Sequence, residues 1–311
     1  MAEPVLSSGQ YALSSVVNGV EGSSFVYGGR GPTGTLVGNT QADPGTLTVQ
    51  DQAVVGHDGI LFGVDTLPGM IVTQTGQVWM PNQVAACMDA YSTLAGVWND
   101  PAVRLANGAH QIFRAFYPGS SVTRRCYGRG RKIMPTLGQA YAGLIPFTAQ
   151  FQAADNTWYS DVEFALNLTQ VPSYRGGGIV PPVTPPYQMV AQTNFQQNVI
   201  ANTGSLPTWP VITFTGPISY PGLTYVNTPV SIGYNGILKA SDTLVIDTRP
   251  WNRTALLNGI SVAGAITGNP MISLQAWPGS TVVRFTGQDF TGTSTCVIKW
   301  RNAFTMIGGS S

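Results

Sequence analysis

This chain of 311 residues carries very little charge. Only 9% of its residues are Asp, Glu, Lys or Arg, against roughly a quarter in ordinary soluble domains. Fifteen basic and 14 acidic residues leave a net charge of +1, so no global field draws the protein to nucleic acid or to an anionic membrane. A surface so poor in charge is expected where other subunits cover it, because interface cores are depleted of charge. The alternative is a neutral β protein solvated by Ser, Thr, Asn and Gln. Cysteine is also scarce. Cys87, Cys126 and Cys296 are odd in number and far apart, which fits neither a disulfide framework nor a clustered zinc site. Cys87 and Cys296 sit within apolar patterns and read as small core residues. No apolar run approaches the ~18 residues of a membrane span, so membrane insertion is not expected. The opening Met-Ala-Glu-Pro-Val-Leu-Ser-Ser has no basic region followed by an apolar core, so the expectation is synthesis in a cytoplasm without a secretory leader.

Catalytic and cofactor motifs are missing as well. Gly29-x-Gly31-x-x-Gly34 matches a dinucleotide fingerprint as a string, with Asp51 beyond it. The mechanism needs a strand before the glycines and a helix after them, and here Pro32 interrupts and a Thr/Gly/Asn-rich stretch follows. A flexible loop is expected instead. No phosphate-binding G-x-x-x-x-G-K-[ST] loop and no G-x-S-x-G elbow occur. His57 and His110 are the only histidines, and neither has a partner at ligand spacing. No catalytic residue, cofactor or metal site is expected.

What the chain does have is punctuation. Thirty-seven Gly and 22 Pro suit many short strands and turns. Strand-like pieces fall at 11–17, 46–50, 60–64 and 111–117. Between Gly143 and Leu168 two strands are expected around a turn at Ala154-Asp155-Asn156, with Phe147, Ala149 and Phe151 on one face. One segment has a helical period: after Pro81, apolar residues at Val84, Cys87, Met88, Tyr91, Ala95 and Trp98 define one stripe of a helix over about 82–99. The stripe reads as core packing. Arg175-Gly-Gly-Gly-Ile-Val-Pro-Pro-Val-Thr-Pro-Pro186 reads as a linker, giving domains at 1–175 and 191–311 around a Gly/Pro linker at 176–190. After it the pattern is strands only, and in the last of them Cys296, Ile298 and Trp300 alternate with Val297, Lys299 and Arg301. Many short antiparallel strands with turn signals imply a β-sandwich. The fold class is therefore mainly β, with one amphipathic helix in the N-terminal half.

The strongest local anomaly is basic. Five of the 15 basic residues, Arg124, Arg125, Arg129, Arg131 and Lys132, fall within nine positions, and Gly128 and Gly130 allow a turn there. Three readings stand: a solvated hairpin tip, a subunit junction where Arg forks meet carboxylates such as Asp155, Asp161 or Glu163, and a lumen wall that a phosphate backbone passes without sequence readout.

Two blocks of the sequence together resemble a known family. Arg124-Arg-Cys-Tyr-Gly-Arg-Gly-Arg131, Phe147-Thr-Ala-Gln-Phe151 and Ala154-Asp-Asn-Thr-Trp-Tyr-Ser-Asp161 are similar to the N-terminal domain of distal tail proteins of long-tailed siphophages, nearest to minor tail proteins of phages infecting actinobacteria. Leu244-Val-Ile-Asp-Thr-Arg-Pro250, Leu256-Leu-Asn-Gly259, Trp277-Pro-Gly279 and Cys296-Val-Ile-Lys-Trp-Arg301 resemble their C-terminal module. The resemblance covers most of residues 80–306 and is diffuse over 1–75. It implies a ring-forming β-rich N-terminal domain, usually in a homohexamer, and a galectin-like C-terminal sandwich. It further implies a place at the virion tail tip, after assembly in the host cytoplasm. The implied partners are the tail tube protein, the tape-measure protein, the tail hub and other minor tail or receptor-binding proteins, with DNA passing through. The competing class is a carbohydrate-binding adhesin. Trp209, Trp251 or Trp277 would then stack on a sugar ring, with Asn252, Arg253 and Asn258 near Trp251 as polar partners, unless these tryptophans fill the sandwich core. A peptidoglycan-cleaving enzyme would need a catalytic constellation that the sequence does not offer.

Overall fold

A computed structural model describes residues 4–29, 33–169, 196–289 and 291–309. The chain is mainly β and divides into two compact units, 1–161 with 304–311, and 162–303. This shifts the expected boundary. Phe164–Thr169, assigned from sequence to the N-terminal domain, pairs along its whole length with Thr295–Trp300 and belongs to the second unit. The end of the chain, in turn, belongs to the first unit. The Gly/Pro segment at 176–190 lies outside the described residues.

In the first unit an antiparallel sheet runs in the order Val20–Glu21, Gln10–Val17, His110–Ala115, Arg124–Pro135, Leu144–Ala153, Ile71–Trp79, Thr35–Asp43. Period-two burial along Leu144–Ala153 puts Ile145, Phe147, Ala149 and Phe151 into the core, as its alternation predicts. The helix spans Val84–Trp98 and buries Cys87, Leu94 and Trp98, with Tyr91 packed against the same core. The true stripe is therefore 87, 91, 94 and 98. Val84 and Met88, expected within it, are each 39% exposed. Trp98 meets Tyr27, Phe113 and Phe151 edge-on, each at 6.4 Å between ring centroids, and donates its indole N–H to the Gln150 carbonyl at 3.1 Å. Pro101 starts a second short helix, Pro101–Arg104, N-capped by the Asp100 carboxylate.

The second unit has two antiparallel six-stranded sheets. One orders Phe164–Thr169, Thr295–Trp300, Val211–Thr215, Thr243–Asp247, Thr254–Leu257 and Ile260–Ser261. The other orders Gln196–Asn202, Gly279–Gln288, Ile218–Tyr225, Ser231–Tyr234 and Ile266–Gly268, with Ile237–Leu238 beside Ile218–Tyr225. Their inner faces share one core, in which Phe214 of the first sheet meets Phe285 of the second at 5.6 Å. That makes a sandwich. Cys296, Ile298 and Trp300 point inward together.

Candidate functional site

The basic run does not form a hairpin tip. Arg124–Pro135 is a 12-residue strand inside the sheet of the first unit, between His110–Ala115 and Leu144–Ala153. The glycines serve close approach and not a turn. A Cβ on Gly128 would come within 2.0 Å of the Gln152 carbonyl oxygen, and one on Gly130 within 2.2 Å of the Trp98 carbonyl oxygen. The register with Leu144–Ala153 slips between Gln150 and Phe151, so Arg131 is the extra residue of a β-bulge.

The strand splits its basic residues into two sets. At one end Arg125 sits directly opposite Arg114 of His110–Ala115. Both side chains are fully buried, and like charges so placed repel. Asp161 resolves this: its Oδ1 accepts from Arg125 Nε at 2.6 Å and from Arg114 Nε at 3.2 Å, and its backbone carbonyl accepts from Arg125 Nη2 at 3.1 Å. Arg114 also donates to Glu21 at 2.6 Å and to the Ser14 hydroxyl at 2.8 Å. Burial works against the Glu21 carboxylate, but the Ser14 and Arg114 hydrogen bonds hold it below the usual carboxylate range. Arg124, 4% exposed, lays its guanidinium over the Phe304 ring at 3.4 Å from the centroid. Arg129 donates to the Ala109 and Ala106 carbonyls at 2.8 and 2.9 Å, holding the chain after the short helix. At the other end Arg131 and Lys132 are exposed.

The expected carboxylate partners divide the same way. Asp161 answers arginines of its own chain. Asp155 accepts from the Tyr159 hydroxyl at 2.6 Å, and burial pushes its carboxyl up to about 6. Glu163 belongs to the second unit, near Lys299 and Arg301 at 3.5 and 3.6 Å. Of the proposed junction residues, Arg131 and Lys132 are the basic ones left facing outward.

The proposed sugar platform is not assembled. Asn252 donates to Asp247 at 2.8 Å, and Asn258 bonds the Thr243 amide and Asp242 at 2.9 Å each. The two asparagines lie at opposite ends of Thr254–Leu257. Trp251 lies beside Arg249 and Trp209 beside Arg253, at 5.8 and 5.9 Å. Nor do these tryptophans fill the core, since Trp209 and Trp251 are half-buried and Trp277 is 63% exposed.

The most conspicuous surface went unread in the sequence. Thr35–Asp43 and Ile71–Trp79 pair down to Asp43 opposite Ile71, and between them the chain makes an excursion. Within it Gln52–Ala53 pairs with Ile60–Leu61 as an isolated two-stranded ribbon, which is marginal by itself in water. Leu47, Val49, Val55, Ile60, Leu61, Phe62, Val64 and Leu67 are all exposed along this arm, Val55 at 95% and Phe62 at 87%. The arm carries Asp51, Asp58 and Asp65 and no Lys or Arg. Further apolar side chains are exposed at the strand ends and in the turn beyond: Trp79, Met134, Leu137 and Tyr141 are 51%, 46%, 56% and 81% exposed. Clustered exposed apolar side chains are what interaction surfaces commonly present.

After Gly34 the chain enters the strand Thr35–Asp43, where a dinucleotide fingerprint would need a helix. Among the described residues no three of His, Cys, Asp or Glu are grouped to hold a metal ion, and no helix is long and apolar enough to cross a membrane.

No family model matches the chain, and no curated protein matches it. Among solved structures, the SPP1 Dit (gp 19.1) protein, a paradigm of the hub adsorption apparatus in Gram-positive infecting phages, aligns over 94% of this chain and 99% of its own with a TM-score of 0.51 at 14% identity. This chain shares the fold of SPP1 Dit. Two structures of the phage P2 baseplate in its activated conformation, with Ca and with Sr, align over 93% of this chain and 97% of theirs, at 11% and 10% identity and TM-scores of 0.47 and 0.48. The likeness to SPP1 Dit extends over nearly the whole of both chains, so it takes in both units described above.

Proposed function

We propose that this chain is a structural virion protein of a long-tailed phage, a distal tail protein that assembles as a homo-oligomeric ring. Six copies would close the ring where the tail tube meets the tip. Its neighbours there would be the tube protein, the tape-measure protein, the hub and other minor tail or receptor-binding proteins. The fold shared with SPP1 Dit supports this reading.

The observation that carries it is the arm at 44–69. Apolar side chains of Leu, Ile, Val or Phe each gain about 1.5–3 kcal/mol on full burial, and here eight of them stay about half to almost fully exposed in the single chain. A second copy offers a matching surface. Trp79, Met134, Leu137 and Tyr141 supply apolar cover, and the exposed Arg131 and Lys132 supply charge opposite to Asp51, Asp58 and Asp65. Arm-to-neighbour contact of this kind is heterologous, and it closes into a ring when the rotation allows.

The test removes the arm without touching the fold. Because Asp43 already lies opposite Ile71, residues 46–66 can be replaced by a short Gly-Asn-Gly turn. We expect the parent to scatter light as an oligomer with rings in negative stain, and the armless variant to be a folded monomer. A parent that is monomeric at all accessible concentrations overturns the ring. An armless variant that still forms rings overturns the arm as the joint.

A further inference from the structure

The outer face of one sheet in the second unit carries a shallow cleft of about 270 Å³. We infer that this cleft is a binding site for a neutral saccharide. The inference stands apart from the ring reading, since the cleft lies wholly within the second unit.

Its floor is built of glycine. Gly222 pairs with Gly233, and Gly268 pairs with Ile232 on the next strand over. Glycine in strand interiors weakens a sheet and marks places where something approaches the backbone closely. Here a Cβ on Gly222 would sit 2.9 Å from the Thr286 hydroxyl, and one on Gly233 would sit 3.2 Å from the Thr267 hydroxyl. The floor is therefore lower than any side chain would leave it, and the two hydroxyls stand at its edges.

Its wall is aromatic and held under strain. Tyr220 has φ +53°, a left-handed conformation that bulky residues rarely adopt. It sits where the register between Ile218–Tyr225 and Gly279–Gln288 slips. Its amide donates to the Gly236 carbonyl at 2.8 Å, which fixes the backbone while the ring stays 55% exposed. Strain of order 1–3 kcal/mol, retained for an exposed ring, is characteristic of binding sites. Tyr234 borders the cleft as well, but its ring packs against the sandwich core, so Tyr220 is the exposed aromatic of the wall.

The remaining lining fixes the ligand class. Thr224, Ser231, Thr267 and Thr286 offer hydroxyls and Asn235 an amide, and no charged side chain lines the cleft. Arg284, opposite Thr224 in the ladder, faces the Gln197 amide. A phosphate or carboxylate would find no counter-charge among the lining residues, and the neighbouring Arg284 is engaged by Gln197. A sugar ring offers what these groups complement: an apolar face for a tyrosine and several hydroxyls that both donate and accept.

The experiment is saturation-transfer NMR on the full chain with glucose, galactose, mannose, rhamnose and N-acetylglucosamine, each at about 20 mM, above the millimolar Kd expected of so small a ligand. Glucuronate serves as the charged control. We expect transfer to at least one neutral sugar and less to glucuronate. Tyr220→Gly should weaken that binding about tenfold while leaving the melting temperature equal or higher, because glycine takes a positive φ without strain. Asn235→Ala, at an exposed position, should weaken binding with no change in folding. Silence from all five neutral sugars overturns the site. So does transfer that persists in Tyr220→Gly and Asn235→Ala, or transfer to glucuronate exceeding that to every neutral sugar.

Discussion

The two ends of the strand Arg124–Pro135 carry the same kind of side chain to opposite fates. Arg125 is buried and shares Asp161 with Arg114, whereas Arg131 and Lys132, a few residues on, face solvent. The first set holds the unit together, because a buried guanidinium left without its carboxylate is far costlier than an exposed one. The second set is free to meet something outside. A run of like residues in sequence thus divides into scaffold and surface, and the exposed set begins at the bulge residue Arg131.

The division is easiest to break at Asp161. Asp161→Asn leaves two opposed buried arginines without their shared charge. We expect a loss of about 3–5 kcal/mol, read as a lower urea midpoint. A loss below about 1 kcal/mol, typical of an exposed position, would mean that the buried end is no more structural than the exposed one.

A smaller effect comes from Asp155 in the same unit. Its folded pKa, near 6, lies above the ordinary carboxylate value. Below about pH 4 both folded and unfolded chains hold the proton and no cost arises. As pH rises from about 4 to 6 the unfolded chain releases the proton first, so this group lowers stability. Above 6 the cost is complete, of the order of 3 kcal/mol. Asp155→Asn should remove this contribution, so that parent and variant differ most above pH 6 and converge near pH 4 in chemical denaturation. A constant difference across that range would count against the assignment.

The smallest effect on stability belongs to the exposed end. Arg131→Gln with Lys132→Gln should change the urea midpoint by no more than about 0.5 kcal/mol. The same pair should shift light-scattering mass toward monomer, more so at low salt, where exposed charge pairs are least screened. Unchanged assembly at low salt would leave these residues as solvated surface.

Much of the scaffold is legible in the sequence. The alternation at 147, 149 and 151 and at 296, 298 and 300 places those side chains in the cores where they are found, because a strand has only two faces and water selects between them. The helix is readable from its period, but its stripe is offset. Val84 and Met88 lie at the margin of the buried arc, and Leu94 lies inside it. Six apolar positions gave no way to tell which edge of the arc the sheet would cover. The arm was hidden for a related reason. Thr46–Gln50 and Ile60–Val64 look like ordinary strands, and nothing local says that they stand away from the sheet. The run of exposed apolar residues with Asp but no Lys or Arg is the signal that could have marked it.

The sequence alone determined the β class, the place of the helix and the inward faces of the strands, because each depends on a repeat of hydrophobicity over a few residues. The tertiary structure decided everything that depends on partners far apart in the chain. It placed Asp161 between Arg114 and Arg125, and it gave Phe164–Thr169 to the second unit and the chain end to the first. It also brought Tyr220, Gly233 and Thr286 to one cleft from three strands. Pairing across a sheet is set by register and closure, and no short window of residues contains either.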